Sequence, residues 1–266
     1  MSALHVWKIL DETGFGAMRF LLAALWQSSI LLTAAGLLTW FLRKRRASVR
    51  RALWAGALLV GPILPLVAAL ALRTGAPQAP VRVLPTYAEP VVASLPTEPM
   101  PRGFASNPPT VPARPELQVS IMAYQWALLL IAYVAGVSAF LAWIVVGRIR
   151  IRRWIKSALP HTDQRVLTTF KTARETTGLT RDFLVLESRC VPSPVSFGIL
   201  HPVVLLPKGL APQLSDAELR ALAIHELAHV KRQDSLMLSL VALVRAVLFF
   251  HPLVWLAARQ ISVLSE

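Results

Sequence analysis

Two histidines and a glutamate are spaced along the chain as two metal ligands and a base would be. They are His225, Glu226 and His229, in the pattern His-Glu-Leu-Ala-His. A separation of four residues puts both imidazoles on one face of a helix, one turn apart, which suits two nitrogen ligands of a tetrahedral Zn²⁺ ion. Glu226, beside the first histidine, can take a proton from zinc-bound water and pass it to a leaving amine. The pattern therefore predicts a zinc peptidase site.

A catalytic zinc ion also needs a third protein ligand, and three downstream residues are candidates. Asp234 lies just past the motif helix, where it suits an N-cap or a carboxylate that orients a histidine. His251 precedes Pro252 in an apolar stretch, which favours a kink or a packing role. Glu266 is the last residue of the sequence. The residues alone leave the choice open.

A helix must carry the motif, and the sequence marks where that helix begins. Ser215-Asp-Ala-Glu218 has the pattern of a capping box. An apolar face at helical spacing follows, at Leu219, Leu222, Ala223, Leu227 and Val230. We predict a helix from Asp216 to about Arg232. The alternative, two histidines packed or solvated without a metal, is costly on a helix that faces a core.

Around this helix the pattern is that of a small mixed domain. Residues 163–177 are predicted as a helix ended by Gly178, and 183–187 as a strand. A further strand is predicted between Pro202 and Pro207, at Val203, Val204, Leu205 and Leu206. Prolines at strand ends suit a sheet edge, and an edge strand beside a peptidase site can bind an extended substrate by strand addition. A plain structural hairpin is the alternative.

The composition indicates that these elements are joined to a membrane region. Hydrophobic residues make up 55% of the chain and charged residues 16%, whereas a soluble domain has roughly 45–50% and about 25%. Three apolar runs, 20–42, 52–72 and 121–146, exceed the roughly 20 residues that a helix needs to cross a bilayer. We predict a transmembrane helix bundle, with the lipid bilayer as a partner.

The net charge of +14 is concentrated beside these runs. Basic clusters at 43–51 and 148–156 each directly follow an apolar run. Because cytoplasmic flanks carry excess Lys and Arg, we predict the N-terminus outside, 43–51 inside, 73–118 outside and everything after 148 inside. Charge placed in this way accounts for the basicity without direct binding of nucleic acid.

These boundaries divide the chain into four parts. They are an N-terminal segment with the first two spans (1–72), an extracytoplasmic loop (73–118), the third span (119–147) and a cytoplasmic peptidase domain (148–266). The loop holds 11 of the 20 prolines, a density that opposes a packed domain. A disordered loop is therefore expected there, with a partner-binding loop as the alternative.

An apolar segment inside the last part, 236–257, is interrupted by Arg245 and His251. Arginine is costly at the centre of a true span, and Pro252 disfavours helix at the residue before it. We therefore predict a re-entrant or membrane-grazing hairpin instead of a straight span.

Taken together, the motifs resemble those of signal-transducing membrane metallopeptidases of the BlaR/MecR type, the bacterial β-lactam sensors and their relatives. The resemblance is carried by HELAHVKRQD at 225–234 and by the preceding SPVSFGILHPVVLLP at 193–207. LWQSSILL at 25–32 and FHPLVW at 250–255 are similar as well. It extends over nearly the whole chain except the proline-rich loop.

The resemblance implies a gluzincin-like zinc site, in which His225, His229 and a later glutamate bind the ion. By its position after FHPLVW, that glutamate falls on Glu266. The implied fold is a mainly α protein of the bacterial inner membrane, a transmembrane bundle with a small α+β peptidase domain in the cytoplasm. The chain is then expected to be truncated before the family's last span and extracellular sensor domain.

Three functions remain open at this point. In regulatory proteolysis, a signal from outside makes the site cleave the chain itself or a cytoplasmic regulator, by analogy a winged-helix repressor in an antibiotic response. Housekeeping proteolysis of the HtpX or CAAX-processing kind is the second, and the SPxxxGxxxPxxLLP lead-in favours the first over it. The third is a non-catalytic membrane receptor or scaffold.

Overall fold

The structure, a computed structural model, describes residues 3–73, Tyr87 and 124–265. These residues form two compact units. The first contains the described residues of Met1–Ala23 and Gln78–Ala135, and the second those of Ala24–Pro77 and Gly136–Glu266. Apart from Arg73 and Tyr87, the predicted loop 73–118 lies outside the described residues, and so does Glu266.

Two long helices, α1 (Ala3–Phe41) and α4 (Gln125–Ser157), contain most of the first and third predicted spans. Within the described ranges, these two helices are long and apolar enough to cross a membrane, over His5–Phe41 and Gln125–Ser157. α4 continues through the basic cluster at 148–156, because Arg and Lys are good helix formers.

The second predicted span is divided into two helices, α2 (Ala47–Val60) and α3 (Leu64–Arg73). Gly61, at the turn between them, lies so close to α1 that a β-carbon added to it would be 2.9 Å from the Cβ of Ser28. Pro62 follows and has no amide hydrogen to continue the helix. Neither half alone is long enough to cross a bilayer, so a membrane span here stays a prediction.

In the first unit, a buried carboxylate caps a helix. Asp11 of α1 is 1% exposed, and its Oδ1 accepts hydrogen bonds from the backbone amides of Trp126 and Ala127, at 3.0 and 3.1 Å. Amides at the start of a helix have no carbonyl partner within that helix, so Asp11 satisfies two of them for α4. The Tyr87 hydroxyl donates to the other carboxylate oxygen at 3.1 Å.

The second unit contains a four-stranded sheet. Its strands are β1 (Leu159–Pro160), β2 (Leu184–Ser188), β3 (Val195–Phe197) and β4 (Val203–Pro207), and their order across the sheet is β1-β2-β4-β3. β4 pairs with β2 in parallel and with β3 antiparallel. It is therefore an interior strand, and β3 is the edge strand beside it.

The prediction that Val203, Val204, Leu205 and Leu206 form a substrate-binding edge strand is wrong. Because β2 and β3 occupy both sides of β4, no backbone edge is free to accept a peptide. Val204 and Leu206 face one apolar core, whereas Val203 and Leu205 face another. A continuous apolar run is typical of a strand that is covered on both faces, and the flanking prolines do not alter that.

Two helices, α5 (Gln164–Thr177) and α6 (Asp216–Lys231), pack together against one face of the sheet. As predicted, α5 ends at Gly178, which adopts the left-handed conformation with φ 64°. The core between the helices and the sheet contains the fully buried side chains of Phe170, Leu219 and Leu227.

The apolar segment after α6 forms two helices, α7 (Asp234–Val247) and α8 (Pro252–Val263), which pack against each other. Helix is interrupted between them where the sequence places His251 and Pro252, and Pro252 takes the first helical position of α8. Both helices share an apolar core with α2 and with the 24–35 part of α1. Insertion of this hairpin into a membrane remains a prediction.

Candidate metal centre

The helix that carries the motif, α6, begins with the predicted capping box. The Glu218 amide donates to the Ser215 hydroxyl at 3.4 Å, and the Ser215 amide donates to Glu218 Oε2 at 2.8 Å. The hydrogen bonds of Ser215 lower the pKa of the Glu218 carboxyl. Leu219, Ala223 and Leu227 are fully buried in the core against which α6 packs. Their burial fixes the rotation of α6 about its axis.

His225 and His229 direct their Nε2 atoms to one place. The two Nε2 atoms are 3.1 Å apart, and the rings are nearly perpendicular, with an interplanar angle of 87°. Two nitrogens bound to one tetrahedral zinc ion at about 2.0–2.1 Å lie about 3.3 Å apart. The separation in the structure is close to that value, so the two imidazoles fit a zinc ion.

Glu226, between the two histidines in sequence, is 5% exposed. Burial raises the pKa of its carboxyl, and the charges of His229 and His225 and the side chain of Ser196 offset only part of that rise. Ser196 lies on the edge strand β3, which packs against α6. A carboxyl with a raised pKa beside a metal site is suited to accepting and returning a proton.

Asp234 orients His229. Its Oδ2 lies 2.7 Å from His229 Nδ1. Gln233, a left-handed residue with φ 55°, turns the chain sharply between α6 and α7 and brings Asp234 back to His229. A carboxylate facing Nδ1 favours the proton on that nitrogen, which leaves the lone pair of the neutral ring on Nε2, as metal binding requires. Of the two roles that the sequence offered for Asp234, the geometry favours the orienting one, since Gln233 is the N-cap.

Two arginines hold Asp234 in this position. Arg51 of α2 pairs with Oδ1 through its Nη1, while Arg232 donates to Oδ2 through Nε at 3.2 Å and Nη2 at 3.0 Å. Burial by itself would raise the pKa of Asp234, but hydrogen bonds from His229, Arg51 and Arg232 outweigh it and lower the pKa. The carboxylate is therefore kept ionised next to the ligand.

The predicted third ligand, Glu266, follows Ser265 in the sequence and lies outside the described residues, so its ligation stays a prediction. Ser265 itself is held at this site: its carbonyl accepts from Arg232 Nη2 at 2.8 Å, and its Oγ lies 3.4 Å from Arg51 Nη1. Within residues 3–73 and 124–265, no group of three or more His, Cys, Asp or Glu side chains is arranged to hold a metal ion.

His251, the other ligand candidate, has both ring nitrogens occupied. Nδ1 accepts from the Leu253 amide at 3.2 Å, and Nε2 lies 2.9 Å from the Ser28 hydroxyl and 3.3 Å from that of Ser29. The residue is 1% exposed. His251 thus holds the break between α7 and α8 against α1, which is the packing role that the sequence favoured.

Three residues at the site were not found from the sequence. The sequence marks Arg51 only as part of a basic cluster, Arg232 only as the approximate end of the motif helix, and Ser196 only as part of the lead-in segment. A signal for Ser196 was present, because it lies in the SPVSFG stretch that carries the resemblance. The contact of Arg51 joins residues 183 positions apart and has no local signal.

Comparison with known proteins adds two findings. The family model described as BlaR1 peptidase M56 matches residues 23–266. Among curated proteins, the chain is similar to the regulatory protein BlaR1 of Bacillus licheniformis, with 27% identity over 128 residues. That alignment covers 48% of this chain and 21% of the relative. The matched part is thus about a fifth of the relative's length.

Proposed function

The chain belongs to the BlaR1 peptidase M56 family, and from that premise we propose that it is a membrane-embedded zinc metalloendopeptidase that acts in transmembrane signalling. One observation supports the proposal above all: the Nε2 atoms of His225 and His229 lie 3.1 Å apart on a capped helix. Family membership supports a peptidase in a membrane protein, and the histidine pair supports zinc as its metal.

The residues of the site divide the chemistry among them. His225, His229 and Glu266 would hold the ion, which when bound supplies Lewis-acid activation of a water molecule and of the peptide carbonyl. Glu226 would accept the proton of the attacking water and return it to the nitrogen of the leaving amine. Its raised pKa favours the first transfer, because a more basic carboxylate accepts a proton more readily.

An extended substrate would bind along β3. Its sheet neighbour is β4, and within the described residues its other side carries no strand. β3 packs against α6, and Ser196 of β3 interacts with Glu226. A peptide that adds a strand to β3 would therefore pass the base and the histidine pair.

As substrates we propose the chain itself and a cytoplasmic repressor of the winged-helix type. Support comes from the name of the relative, a regulatory protein, and from the edge strand β3, along which an extended backbone segment would bind. An antibiotic is one class of signal that such a protein would report. The family match favours regulatory proteolysis over the housekeeping alternative.

We further propose a location in the bacterial cytoplasmic membrane, with several spans, the N-terminus outside and the peptidase domain in the cytoplasm. The last turns of α4 are rich in Arg and Lys and lead directly to β1 of the peptidase sheet. Basic residues at the end of a span favour the cytoplasmic side. Reporter fusions placed after Phe41 and after Ser157 would test the orientation.

Metal analysis of the full chain purified in detergent tests the function. We expect about one zinc ion per chain in the wild type and in His201→Ala, a control at an exposed histidine, and a loss of zinc in His225→Ala. Incubation with zinc should release defined fragments of the chain, identified by mass spectrometry. A wild-type chain that binds no zinc would contradict the enzyme and favour a non-catalytic receptor.

A further inference from the structure

Arg51 joins the metal site to a helix that is remote from it in the sequence. It stands in α2, 183 residues before Asp234. The two side chains are 15% and 7% exposed, so their ion pair is largely shielded from water. Removal of Arg51 would leave Asp234 Oδ1 without its cation in a shielded place, while Oδ2 keeps Arg232 and His229, so the ion pair constrains the position of both groups.

The effect of Arg51 on the metal site would pass through one carboxylate. Asp234 Oδ1 accepts a hydrogen bond from the Arg51 guanidinium, whereas Oδ2 lies 2.7 Å from His229 Nδ1. The contacts therefore end on a nitrogen of a metal-binding ring. Groups that hydrogen-bond to a ligand's second nitrogen control its tautomer and orientation, and with them metal affinity.

The position of Arg51 depends on how α2 packs. α2 shares an apolar core with the 24–35 part of α1 and with α7 and α8, to which it contributes the buried Trp54 and Leu58. The ring of Trp54 lies close to Gly36 of α1, where an added β-carbon would be 3.4 Å away. A displacement of α2 relative to α7 would draw Arg51 away from Asp234.

We propose that Arg51 is a positioning residue for the metal site, and that it makes the orientation of His229 depend on the position of α2. The inference rests on the proposed function, because it takes His229 as a zinc ligand. Movement of α2 together with α1 would therefore change how firmly the zinc ligand His229 is held. Arg232 directly follows α6 within the peptidase domain, so its contact with Asp234 does not depend on the position of α2.

The test compares Arg51→Met and Arg51→Lys with Arg45→Met in the full chain. Arg45 lies in the same basic cluster and is exposed, so Arg45→Met removes an equal charge away from the site. The readouts are zinc affinity, from competition with a chelator, and the visible spectrum of the Co²⁺-loaded protein. We expect Arg51→Met to bind zinc about 10–100-fold more weakly and to alter the Co²⁺ spectrum. Arg51→Lys should recover part of both, and Arg45→Met should match the wild type.

A double variant separates positioning from a general loss of structure. If Arg51 acts through Asp234, Arg51→Met causes no further loss of affinity in an Asp234→Asn background. An undiminished further loss there, or wild-type affinity and spectrum in Arg51→Met, overturns the inference and leaves the proposed function standing. Failure of the wild type to bind zinc overturns the function instead. If Arg51→Met does not fold, Arg51→Lys provides the test, because lysine keeps the charge but lacks the planar guanidinium. A Co²⁺ spectrum in Arg51→Lys that equals the wild-type spectrum would then contradict the inference.

Discussion

The guanidinium of Arg232 donates to the backbone carbonyl of Ser265 at 2.8 Å. Arg232 directly follows α6, and Ser265 lies beyond the end of α8, so this hydrogen bond joins the helix of the histidine pair to the last described residue. The same guanidinium pairs with Asp234, which faces His229. The chain therefore returns to the metal site at the position where the sequence continues with Glu266.

Because Ser265 is held at the metal site by Arg232, we predict that the Glu266→Ala variant loses bound zinc. A site with two imidazole ligands alone holds the ion far more weakly than one with three protein ligands. Zinc content should fall from about one per chain to a small fraction of that value, measured by elemental analysis after dialysis. Glu175→Ala, at an exposed glutamate of α5, is the control. Full zinc content in Glu266→Ala would show that the third ligand is elsewhere.

Glu226→Gln should separate metal binding from proteolysis. Glutamine keeps the shape of the side chain but cannot accept a proton, and loss of a general base costs typically 10²–10⁴-fold in rate. Zinc content should stay at the wild-type level while fragments of the chain no longer accumulate on a gel. If the variant cleaves itself at the wild-type rate, Glu226 is not the base.

Ser196→Ala should change the pH dependence of cleavage. Glu226 must be ionised to accept a proton, so the rate falls at pH values below its pKa. Burial raises that pKa and Ser196 lowers it, so removal of the hydroxyl should raise the pKa further. The acid limb of the pH–rate profile should then move to higher pH, with little change above the limb. Val195→Ala on the same strand is the matched control, and a shift of the limb to lower pH would refute the assignment.

Ser215→Ala should loosen the start of the motif helix. Loss of a serine cap costs typically about 1 kcal/mol, and the cap hydrogen bonds of Ser215 are local to the first turn of α6. Hydrogen–deuterium exchange should rise in that turn. Ser157→Ala, which removes a hydroxyl that donates to the Trp154 carbonyl within α4 at 3.1 Å, should leave α6 unchanged. Equal exchange in both variants would mean that tertiary packing, not the cap, fixes α6.

The same cap predicts a pH effect. The pKa of Glu218 in the folded chain is lowered by Ser215, so folding favours the ionised form. The stabilisation is present above the unfolded-state pKa and is lost as the pH falls through the lower folded-state pKa. The protection factors of the amides in the first turn of α6, which correct for the intrinsic pH dependence of exchange, should therefore fall on acidification in the wild type. In Ser215→Ala this acid-dependent part should be smaller, and an equal response in both proteins would contradict the coupling.

Elements with local signals were predictable from the sequence. The capping box of α6, the left-handed Gly178 after α5 and the spacing of His225 and His229 all act over a few residues. Each is present in the structure at the predicted place. The break before Pro252 is of the same kind, because proline restricts the residue that precedes it.

Features that depend on distant partners were not predictable in the same way. Pro202 and Pro207 suggested an edge for β4, but whether a strand is interior is decided by its neighbours β2 and β3. The apolar character of Val203 to Leu206 on both faces was the better signal. Arg51 illustrates the limit, since its basic cluster predicts a membrane flank and contains nothing that points to Asp234.

The Arg51–Asp234 pair also has a consequence in the opposite direction. Thermodynamic coupling between two sites is reciprocal, so a metal ion that is bound more tightly when α2 is in place must hold α2 in place by the same factor. Zinc bound to the proposed site would then stiffen the packing of α2 against its neighbouring helices. Under the proposed function, a shortage of zinc would loosen the packing of α2, and the response of the protein to a signal would depend on the metal supply.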